Sequence, residues 1–198
     1  MQDKITFRLL TSKDTDLMYN WLIEEHVHEW FASAVNISID FVKSRFTKIN
    51  DFIKRWVFQI NGIDIGYIQN FFYEEDDGIS LKYRNDIEAK EGSVGIDYFI
   101  GDKNYVHKGY GKIILKHFLD EIIFPDPRTK SIIVGPRTKN LASIKVLEAN
   151  AFIIYNIFIP LKAICLKHLY TCQIFCSWTY NYRFSPWIWK NNLIKKML

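Results

Sequence analysis

Two glycines one residue apart, Gly109 and Gly111, stand between an apolar strand pattern and a long helical pattern. Glycine at such a junction lets the backbone turn tightly, so the first N–H groups of the helix point into one shared space. Such a helix start binds anions, because its unpaired N–H groups and the helix dipole both favour negative charge. Lys108 and Lys112 add positive charge beside it. The segment predicts a phosphate site or a plain turn without a ligand, and it matches neither the dinucleotide fingerprint nor the P-loop.

Strand and helix patterns alternate over the first 152 residues, with turn or capping residues at the junctions. Asn61-Gly62 separates two apolar runs and predicts a type I′ hairpin, because both turn residues of that type have positive φ. Thr11-Ser12, Ser38 and Asn140 precede helical periodicity and are typical N-caps. The predicted strands are 5–9, 56–60, 63–73, 93–101, 131–134 and 152–159, and the longer predicted helices are 109–124 and 140–150. This order predicts an α/β fold with a central sheet of mixed direction.

The charge is divided unevenly along the 198 residues. Up to residue 150 there are 20 Lys and Arg against 22 Asp and Glu, whereas residues 151–198 contain six basic residues and no acid. The last quarter also contains all three cysteines and three of the six tryptophans, so the net charge of +4 belongs to the tail. We therefore predict a domain over residues 1–160 and an atypical basic extension with Trp and Cys over 161–198. An altered reading frame or a fused segment would explain such an extension.

The termini, the apolar runs and the cysteines bear on compartment and partners. No secretory signal opens the chain, and no apolar run in the tail reaches the ~18 residues of a membrane-spanning helix. Cys165, Cys172 and Cys176 fit a reducing cytoplasm, and their spacing matches no zinc pattern, so no metal is predicted. Acids offset the basic residues of the domain and no recognition motif occurs, which argues against nucleic acid as a partner. We expect a cytoplasmic monomer or homodimer without stable membrane insertion.

Five stretches, at residues 19–22, 26–31, 66–69, 95–98 and 140–152, accompany the segments "GIDYFIG" and "NYVHKGYG". In this order they resemble the GNAT superfamily of acyl-CoA N-acyltransferases, and more narrowly the aminoglycoside 6′-N-acetyltransferases, over about residues 5–155. The resemblance implies the GNAT fold, a mixed and mostly antiparallel sheet flanked by helices, here with an atypical C-terminal segment. It also implies acetyl-CoA as the co-substrate, its pyrophosphate at the glycine loop, and a small polycationic amine as the acceptor.

The resemblance implies roles for individual residues as well. Asp97 is the implied catalytic residue, which holds the ammonium group and receives its proton; a strand-end aspartate that caps a turn is the alternative. The implied cofactor-binding residues are Phe99, Ile100, Val106, His107, Lys108, Gly109, Tyr110, Gly111, Lys112, Asn140 and Ser143. The implied substrate residues, besides Asp97, are Trp30, Tyr67, Gln69 and Glu74.

Three positions depart from the pattern of the resembling enzymes. Leu147 stands where many relatives have a tyrosine near the leaving thiolate, Gly135-Pro136 replaces an Asp-Pro pair on the amine side, and Ala151 replaces a glycine. A further feature is an acidic loop predicted over residues 74–91, since nine acids against three basic residues lie between residues 74 and 102. Such a surplus suits a polycationic substrate, or it is only a solvated loop.

These observations leave three classes of function open. The first is an acetyl-CoA-dependent N-acetyltransferase acting on the 6′-amino group of an aminoglycoside or on a similar polyamine. The second is an N-acyltransferase for a siderophore, a hydroxamate or another small amine. The third is a non-catalytic acyl-CoA-binding or membrane-surface protein that uses the basic, Trp-rich tail as an interfacial anchor.

Overall fold

The computed structural model of the protein describes residues 3–32, 35–47, 52–74, 81–158 and 163–169. Within these residues seven strands form one sheet: β1 Ile5–Leu9, β2 Ile53–Ile60, β3 Ile63–Phe72, β4 Ser93–Ile100, β5 Ser131–Val134, β6 Ile153–Phe158 and β7 Ala163–Leu169. Their order is β1-β2-β3-β4-β5-β7-β6. β4 and β5 pair in parallel, and the other neighbours pair antiparallel. The predicted mixed and mostly antiparallel sheet is confirmed.

The same residues contain six α-helices: α1 Thr15–Ile23, α2 Glu25–Val27, α3 Ile39–Val42, α4 Leu81–Asp86, α5 Tyr110–Phe118 and α6 Leu141–Glu148. Single π-helical turns at His28–Ala32, Lys43–Thr47 and Leu119–Ile123 extend α2, α3 and α5. Ser38 Oγ accepts a hydrogen bond from the Phe41 N–H at 3.1 Å, and Asn140 Oδ1 accepts one from the Ser143 N–H at 3.0 Å. The predicted N-caps at Ser38 and Asn140 are therefore confirmed. Thr11 precedes a short 3-10 turn, Ser12–Asp14, and α1 itself begins after Asp14.

The sheet has a hydrophobic core on each of its faces. One core lies under α5 and α6 and includes Ile96 and Leu147. The other lies under α1 and α3 and includes Tyr67 and Phe99. Because successive side chains of a strand point to opposite faces, β4 supplies Ile96 to the first core and Phe99 to the second. Each such burial stabilises the fold by about 1.5–3 kcal/mol, so β4 is held firmly from both sides.

The hairpin predicted at Asn61-Gly62 joins β2 to β3. Asn61 and Gly62 have φ values of 52° and 81°, the positive values that a type I′ turn requires. β1 and β5 have the predicted bounds. β2 begins earlier than predicted, at Ile53, because that residue still pairs with Phe71 on β3. The turn residues thus set the register, and cross-strand pairing sets the length.

The predicted acidic loop over residues 74–91 is not wholly a loop, because α4 lies within it. Just after α4, Ile87 is only 1% exposed and packs with Tyr73 and Ile133 in a small cluster of its own. The buried Ile87 thus anchors the chain against the sheet directly after α4.

β7 comes from the segment that the sequence assigned to the C-terminal extension. It pairs with β5 on one side and with β6 on the other, so the sheet does not end at residue 160. The predicted strand over 152–159 is present as β6, with residue 159 outside the described residues. Cys172, Cys176 and the three C-terminal tryptophans also lie outside the described residues, and an atypical extension there stays a prediction.

The chain leaves α6 through a left-handed residue that is not glycine. Ala151 has a φ of 63°. Its N–H donates to the Glu148 carbonyl at 3.1 Å, and the Phe152 N–H donates to the Leu147 carbonyl at 3.1 Å, the two hydrogen bonds of a Schellman motif. A side chain in this conformation costs about 1–2 kcal/mol, a cost that glycine avoids. Alanine at position 151, where the resembling enzymes have glycine, therefore carries backbone strain.

Ala151→Gly is expected to raise the free energy of unfolding by about 0.5–1 kcal/mol, because relief of strain exceeds the entropy that glycine adds to the unfolded chain. Urea denaturation measures the change. Ala149→Gly is the matched control: Ala149 has ordinary right-handed backbone at the same helix end, and glycine there should destabilise by about 0.5–1 kcal/mol. A loss of stability in both variants would show that Ala151 is not strained.

Candidate active site

A cleft opens where β4 and β5 separate. The two strands pair only over residues 93–95 and 131–133, although β4 continues to Ile100. The cleft has a volume of about 880 Å³ and is lined by the second half of β4, the residues around α2, the start of α5 and one side of α6. Beyond the paired residues, none of the strands in the described part of the chain pairs with β4 on this side. Its N–H and C=O groups there can hydrogen-bond an extended ligand.

The start of α5 borders the cleft. Gly109 is its N-cap, with a φ of 83°, and no side chain of the described residues caps the helix. The first N–H groups of α5 are therefore open, as an anion site requires. A Cβ on Gly109 would meet nothing within 4 Å, so conformation and not space selects glycine there. A Cβ on Gly111 would lie 3.2 Å from Val146, so Gly111 serves the close packing of α5 on α6.

Asp97 lies on β4 and lines the cleft. Gln69, its direct partner on β3, donates from Nε2 to Asp97 Oδ2 at 2.8 Å. The carboxylate is open to solvent through the cleft, while protein atoms crowd it on its other sides, so its desolvation is partial. Desolvation raises the pKa of Asp97 above the usual range, and the Gln69 hydrogen bond and the charge of Arg45 oppose the shift. A raised pKa makes Asp97 a stronger base than an ordinary aspartate.

The β4 backbone supplies hydrogen-bond donors beside Asp97. The Gly101 N–H bonds to β3, and the alternation of a strand then turns the N–H groups of Tyr98 and Ile100 away from β3 toward the cleft. The resemblance implied cofactor binding by Phe99 and Ile100. Alternation supports Ile100 and adds Tyr98, whereas the Phe99 N–H faces β3. His26 Nε2 lies 2.9 Å from the Ile100 carbonyl oxygen and joins the α2 region to this end of β4.

α6 forms the opposite wall of the cleft. Asn140 and Ser143 both line it while Asn140 also caps the helix, so the two readings of Asn140 are compatible. Leu147 is 2% exposed and has no proton to donate. Tyr98 Oη is buried and meets hydrogen-bond geometry with no described residue. Burial raises the pKa of Tyr98 to about 12, with nearby Ser143 in opposition, so this phenol stays protonated at neutral pH.

Most of the site residues predicted from the sequence meet in this cleft. The lining includes Trp30, Asp97, Phe99, Ile100, Val106, His107, Gly109, Tyr110, Gly111, Lys112, Asn140 and Ser143. Lys108 is exposed outside it, and Tyr67 and Gln69 lie behind Asp97 rather than in the wall. Glu74 is apart from the cleft: its Oε1 accepts a hydrogen bond from the Gly92 N–H at 2.9 Å, beyond the opposite end of β4.

The described lining of the cleft carries more basic than acidic side chains. Of the acids between residues 74 and 102 that the structure describes, only Asp97 lines the cleft, and Glu29 is the second acid there. The basic lining residues are Lys112, Arg137, Lys139 and Lys145. Arg137, to which the sequence did not point, donates to the Glu29 carbonyl at 3.4 Å and so joins two walls. Its only signal was its place right after the unusual Gly135-Pro136.

Among the described residues no three or more His, Cys, Asp or Glu side chains are grouped to hold a metal ion. No helix in the same ranges is both long enough and apolar enough to cross a membrane. Cys165, in β7, is the cysteine that falls within the described part of the chain. The cytoplasmic location and the monomeric or homodimeric state stay predictions.

An open parallel strand pair, a helix start suited to an anion and a carboxylate thus meet in one cleft. The family profile described as "Acetyltransferase (GNAT) domain" matches residues 11–157. The chain therefore belongs to the GNAT family of N-acetyltransferases, as its sequence motifs implied.

Similar proteins agree with this assignment. The chain is 26% identical over 157 residues to aminoglycoside N(6′)-acetyltransferase type 1 of Klebsiella pneumoniae and of Serratia marcescens, over 76% of this chain and 74% of each relative. A solved structure of AAC(6′)-Ib in complex with paromomycin and acetyl-CoA is 25% identical, with a TM-score of 0.74, over 85% of this chain and 94% of that one. An uncharacterized protein from Bacillus halodurans has the same TM-score and identity, over 84% of each chain. The predicted GNAT fold is confirmed.

Proposed function

We propose that the protein transfers the acetyl group of acetyl-CoA to a primary amine bound beside Asp97. One observation carries the proposal: the Asp97 carboxylate and the uncapped start of α5 line a single cleft, opened by the separation of β4 and β5. Membership of the GNAT family supports acetyl transfer. Acetyl-CoA in the similar AAC(6′)-Ib structure supports the donor.

Asp97 is the catalytic base in this proposal. An alkylamine with a reference pKa near 10.4 is neutral in roughly one molecule in 2,500 at pH 7, which costs about 4.6 kcal/mol. Asp97 Oδ1, which accepts no hydrogen bond from the described residues, holds the ammonium group and takes its proton directly or through water. The nitrogen lone pair then forms the C–N bond to the thioester carbon, the C–S bond breaks with its electron pair on sulfur, and the second proton of the attacking nitrogen passes to solvent.

The β4 backbone and the leaving group complete the step. The N–H groups of Tyr98 and Ile100 stabilise the negative carbonyl oxygen, a contribution worth about 10²–10³ in rate for one such donor in other acyl-transfer enzymes. The sulfur needs no strong acid, because a thiol with a reference pKa near 8.5 leaves tolerably as a thiolate. An apolar Leu147 is therefore compatible with turnover.

The donor is held at the other end of the cleft. The first turn of α5 and Lys112 bind the pyrophosphate of acetyl-CoA, because N–H groups and an ammonium both favour that anion. Asn140 and Ser143, one turn apart in space on α6, hydrogen-bond the pantetheine arm. Val106, His107 and Tyr110 line the same end of the cleft.

Two classes of acceptor are proposed. An aminoglycoside 6′-amine is the first, because the similar relatives carry that name. A smaller amine with fewer positive charges is the second, favoured by the lining charges of the cleft. An acceptor with several ammonium groups gains from acidic walls, and this cleft offers it Glu29 and Asp97, with the positive charge of Arg137 beside Glu29.

Thiol release from acetyl-CoA with a panel of amines tests the proposal. The panel contains kanamycin-like aminoglycosides, linear polyamines, hydroxylamines and monoamines at equal concentration. We expect release together with an N-acetylated product in the mass spectrum, and the acceptor with the highest kcat/KM assigns the class. Coenzyme A binding without release for any amine would exclude both enzymatic candidates and leave a non-catalytic acyl-CoA-binding protein.

A further inference from the structure

Behind Asp97, neighbouring strands carry a row of polar side chains. These side chains have no role in the acetyl transfer proposed above. Arg55 on β2, Gln69 on β3 and Asp97 on β4 are direct cross-strand partners, so their side chains share one face of the sheet. Tyr67 stands on the same face, two residues before Gln69. Its hydroxyl donates to Gln69 Oε1 at 2.6 Å, and Gln69 Nε2 donates to Asp97 Oδ2 at 2.8 Å. One chain of hydrogen bonds thus leads to the carboxylate.

The direction of this chain is fixed at both ends. A guanidinium group only donates and a carboxylate only accepts. The positive charge of Arg55 acts to lower the pKa of Tyr67, and the Tyr67 hydroxyl donates its proton to Gln69 Oε1. With Oε1 engaged by Tyr67, the Gln69 amide presents Nε2 to Asp97. Charged groups at both ends strengthen the bonds between them.

Tyr67 is held in place by its surroundings. Its side chain is fully buried, and its ring lies 5.4 Å from that of Phe99, 5.7 Å from Phe46 and 6.1 Å from Phe31, measured between centroids. A ring enclosed on several sides cannot move its hydroxyl away from Gln69. Burial also raises the pKa of Tyr67 above its usual range, so the hydroxyl keeps its proton.

We propose that Tyr67 and Gln69 are positioning residues for Asp97: the Tyr67 hydroxyl orients the Gln69 amide, and that amide holds Asp97 as a carboxylate with Oδ1 turned to the amine. That the acceptor is an amine rests on the proposed function, whereas the hydrogen bonds between Tyr67, Gln69 and Asp97 do not depend on it. Desolvation favours the neutral carboxyl, and the donated hydrogen bond favours the carboxylate. Desolvation thus makes Asp97 a stronger base than an ordinary aspartate, while the Gln69 hydrogen bond stabilises its ionised form.

Other charged or titratable groups around Asp97 come from the elements packed on the same side. Arg45, on the π-helical turn after α3, acts on both Asp97 and Tyr67. The further groups that share the cleft with Asp97 are His26, Glu29, His107, Lys112, Arg137, Lys139 and Lys145. All of them are unchanged in the variants below, so a difference between variants reports the hydrogen-bond chain.

Tyr67→Phe and Gln69→Leu test the proposal through the titration of Asp97. The ¹³C signal of its carboxyl group, assigned by its loss in Asp97→Asn, is followed by NMR. We expect each variant to raise the pKa of Asp97 by about 0.5–1 unit, the equivalent of one hydrogen bond. The double variant should raise it no further than Gln69→Leu alone, because Tyr67 acts through Gln69. The acid limb of kcat/KM should move to higher pH by the same amount.

Tyr73→Phe is the matched control. It also removes a hydroxyl of a buried tyrosine, one that donates to the Ile133 carbonyl at 3.3 Å in a separate cluster, and it should leave the pKa of Asp97 unchanged. An unchanged pKa in Gln69→Leu, or a double-variant shift equal to the sum of the single shifts, would overturn the proposal. If Tyr67→Phe does not fold, the pKa of Asp97 in Gln69→Leu alone tests the proposal. The titration needs no turnover, so an inactive enzyme would end the proposed function and leave this test intact.

Discussion

Asp97→Asn is expected to lower kcat/KM for the amine acceptor by about 10²–10⁴ at neutral pH, the usual contribution of a general base. Asparagine keeps the size of the side chain but neither accepts the proton nor attracts the ammonium group. Because the pKa of Asp97 is raised, the rate of the parent enzyme falls as pH falls through a value above the usual aspartate range. In the variant this acid limb disappears, and the residual rate follows the fraction of neutral amine, tenfold per pH unit. Initial rates across the pH range measure both effects.

Asp102→Asn is the matched control for this substitution. Asp102 follows the end of β4, does not line the cleft, and its Oδ1 accepts a hydrogen bond from the Asn104 N–H at 2.8 Å. We expect its variant to keep the parental kcat/KM and acid limb. Coenzyme A affinity by calorimetry should be equal in all three chains, since Asp97 belongs to the amine half of the cleft. A parental pH profile in Asp97→Asn would remove Asp97 from catalysis.

Local patterns were sufficient for elements whose cause lies within a few residues. Asn61-Gly62 forms the predicted turn because the positive φ values are a preference of those two residues. Ser38 and Asn140 begin their helices as predicted because a capping hydrogen bond reaches only three residues ahead. β1 and β5 have their predicted bounds because their apolar patterns are short and clearly interrupted.

Elements that depend on distant contacts were harder to predict. β7 lies between β5 and β6, and its Lys167 pairs with Ile133, far away in sequence. The basic and thiol-containing composition of that region suggested a foreign segment, but backbone ladder hydrogen bonds are indifferent to such side chains. The surrounding acids concealed α4 in the sequence, although Ile87, directly after this helix, packs against the sheet. The composition of a segment therefore does not reveal which strands it pairs with or which buried cluster it joins.

The candidate site likewise contains features that local sequence predicts and features that depend on distant contacts. The glycine loop was predictable because the backbone turn and the helix start are local features, whereas the packing role of Gly111 depends on Val146 across the helix interface. The row of Arg55, Gln69 and Asp97 is a matter of strand register, which no local pattern contains. The resemblance pointed to Gln69 as a substrate residue, and the structure has it behind the carboxylate. The strand register thus shows that Tyr67, Gln69 and Asp97, separate candidates in the sequence, are linked by hydrogen bonds in that order.

Gly109→Val is expected to weaken the binding of acetyl-CoA by about 10–100-fold, or about 1.4–2.8 kcal/mol. Gly109 has a φ of 83°, a region that β-branched residues avoid. The loop must then rotate to relieve the strain, which turns the first N–H groups of α5 away from the phosphate groups that they are proposed to bind. Calorimetric titration with coenzyme A and with acetyl-CoA measures the loss.

Gly109→Asn separates conformation from bulk. Asparagine is close to valine in size but tolerates left-handed backbone, and a Cβ at this position meets nothing within 4 Å. We therefore expect the asparagine variant to bind acetyl-CoA nearly as the parent does. An equal loss in both variants would mean that the ligand approaches the Gly109 backbone too closely for any side chain. Parental affinity in both would show that acetyl-CoA does not depend on the start of α5, and it would remove the glycine loop from the proposed function.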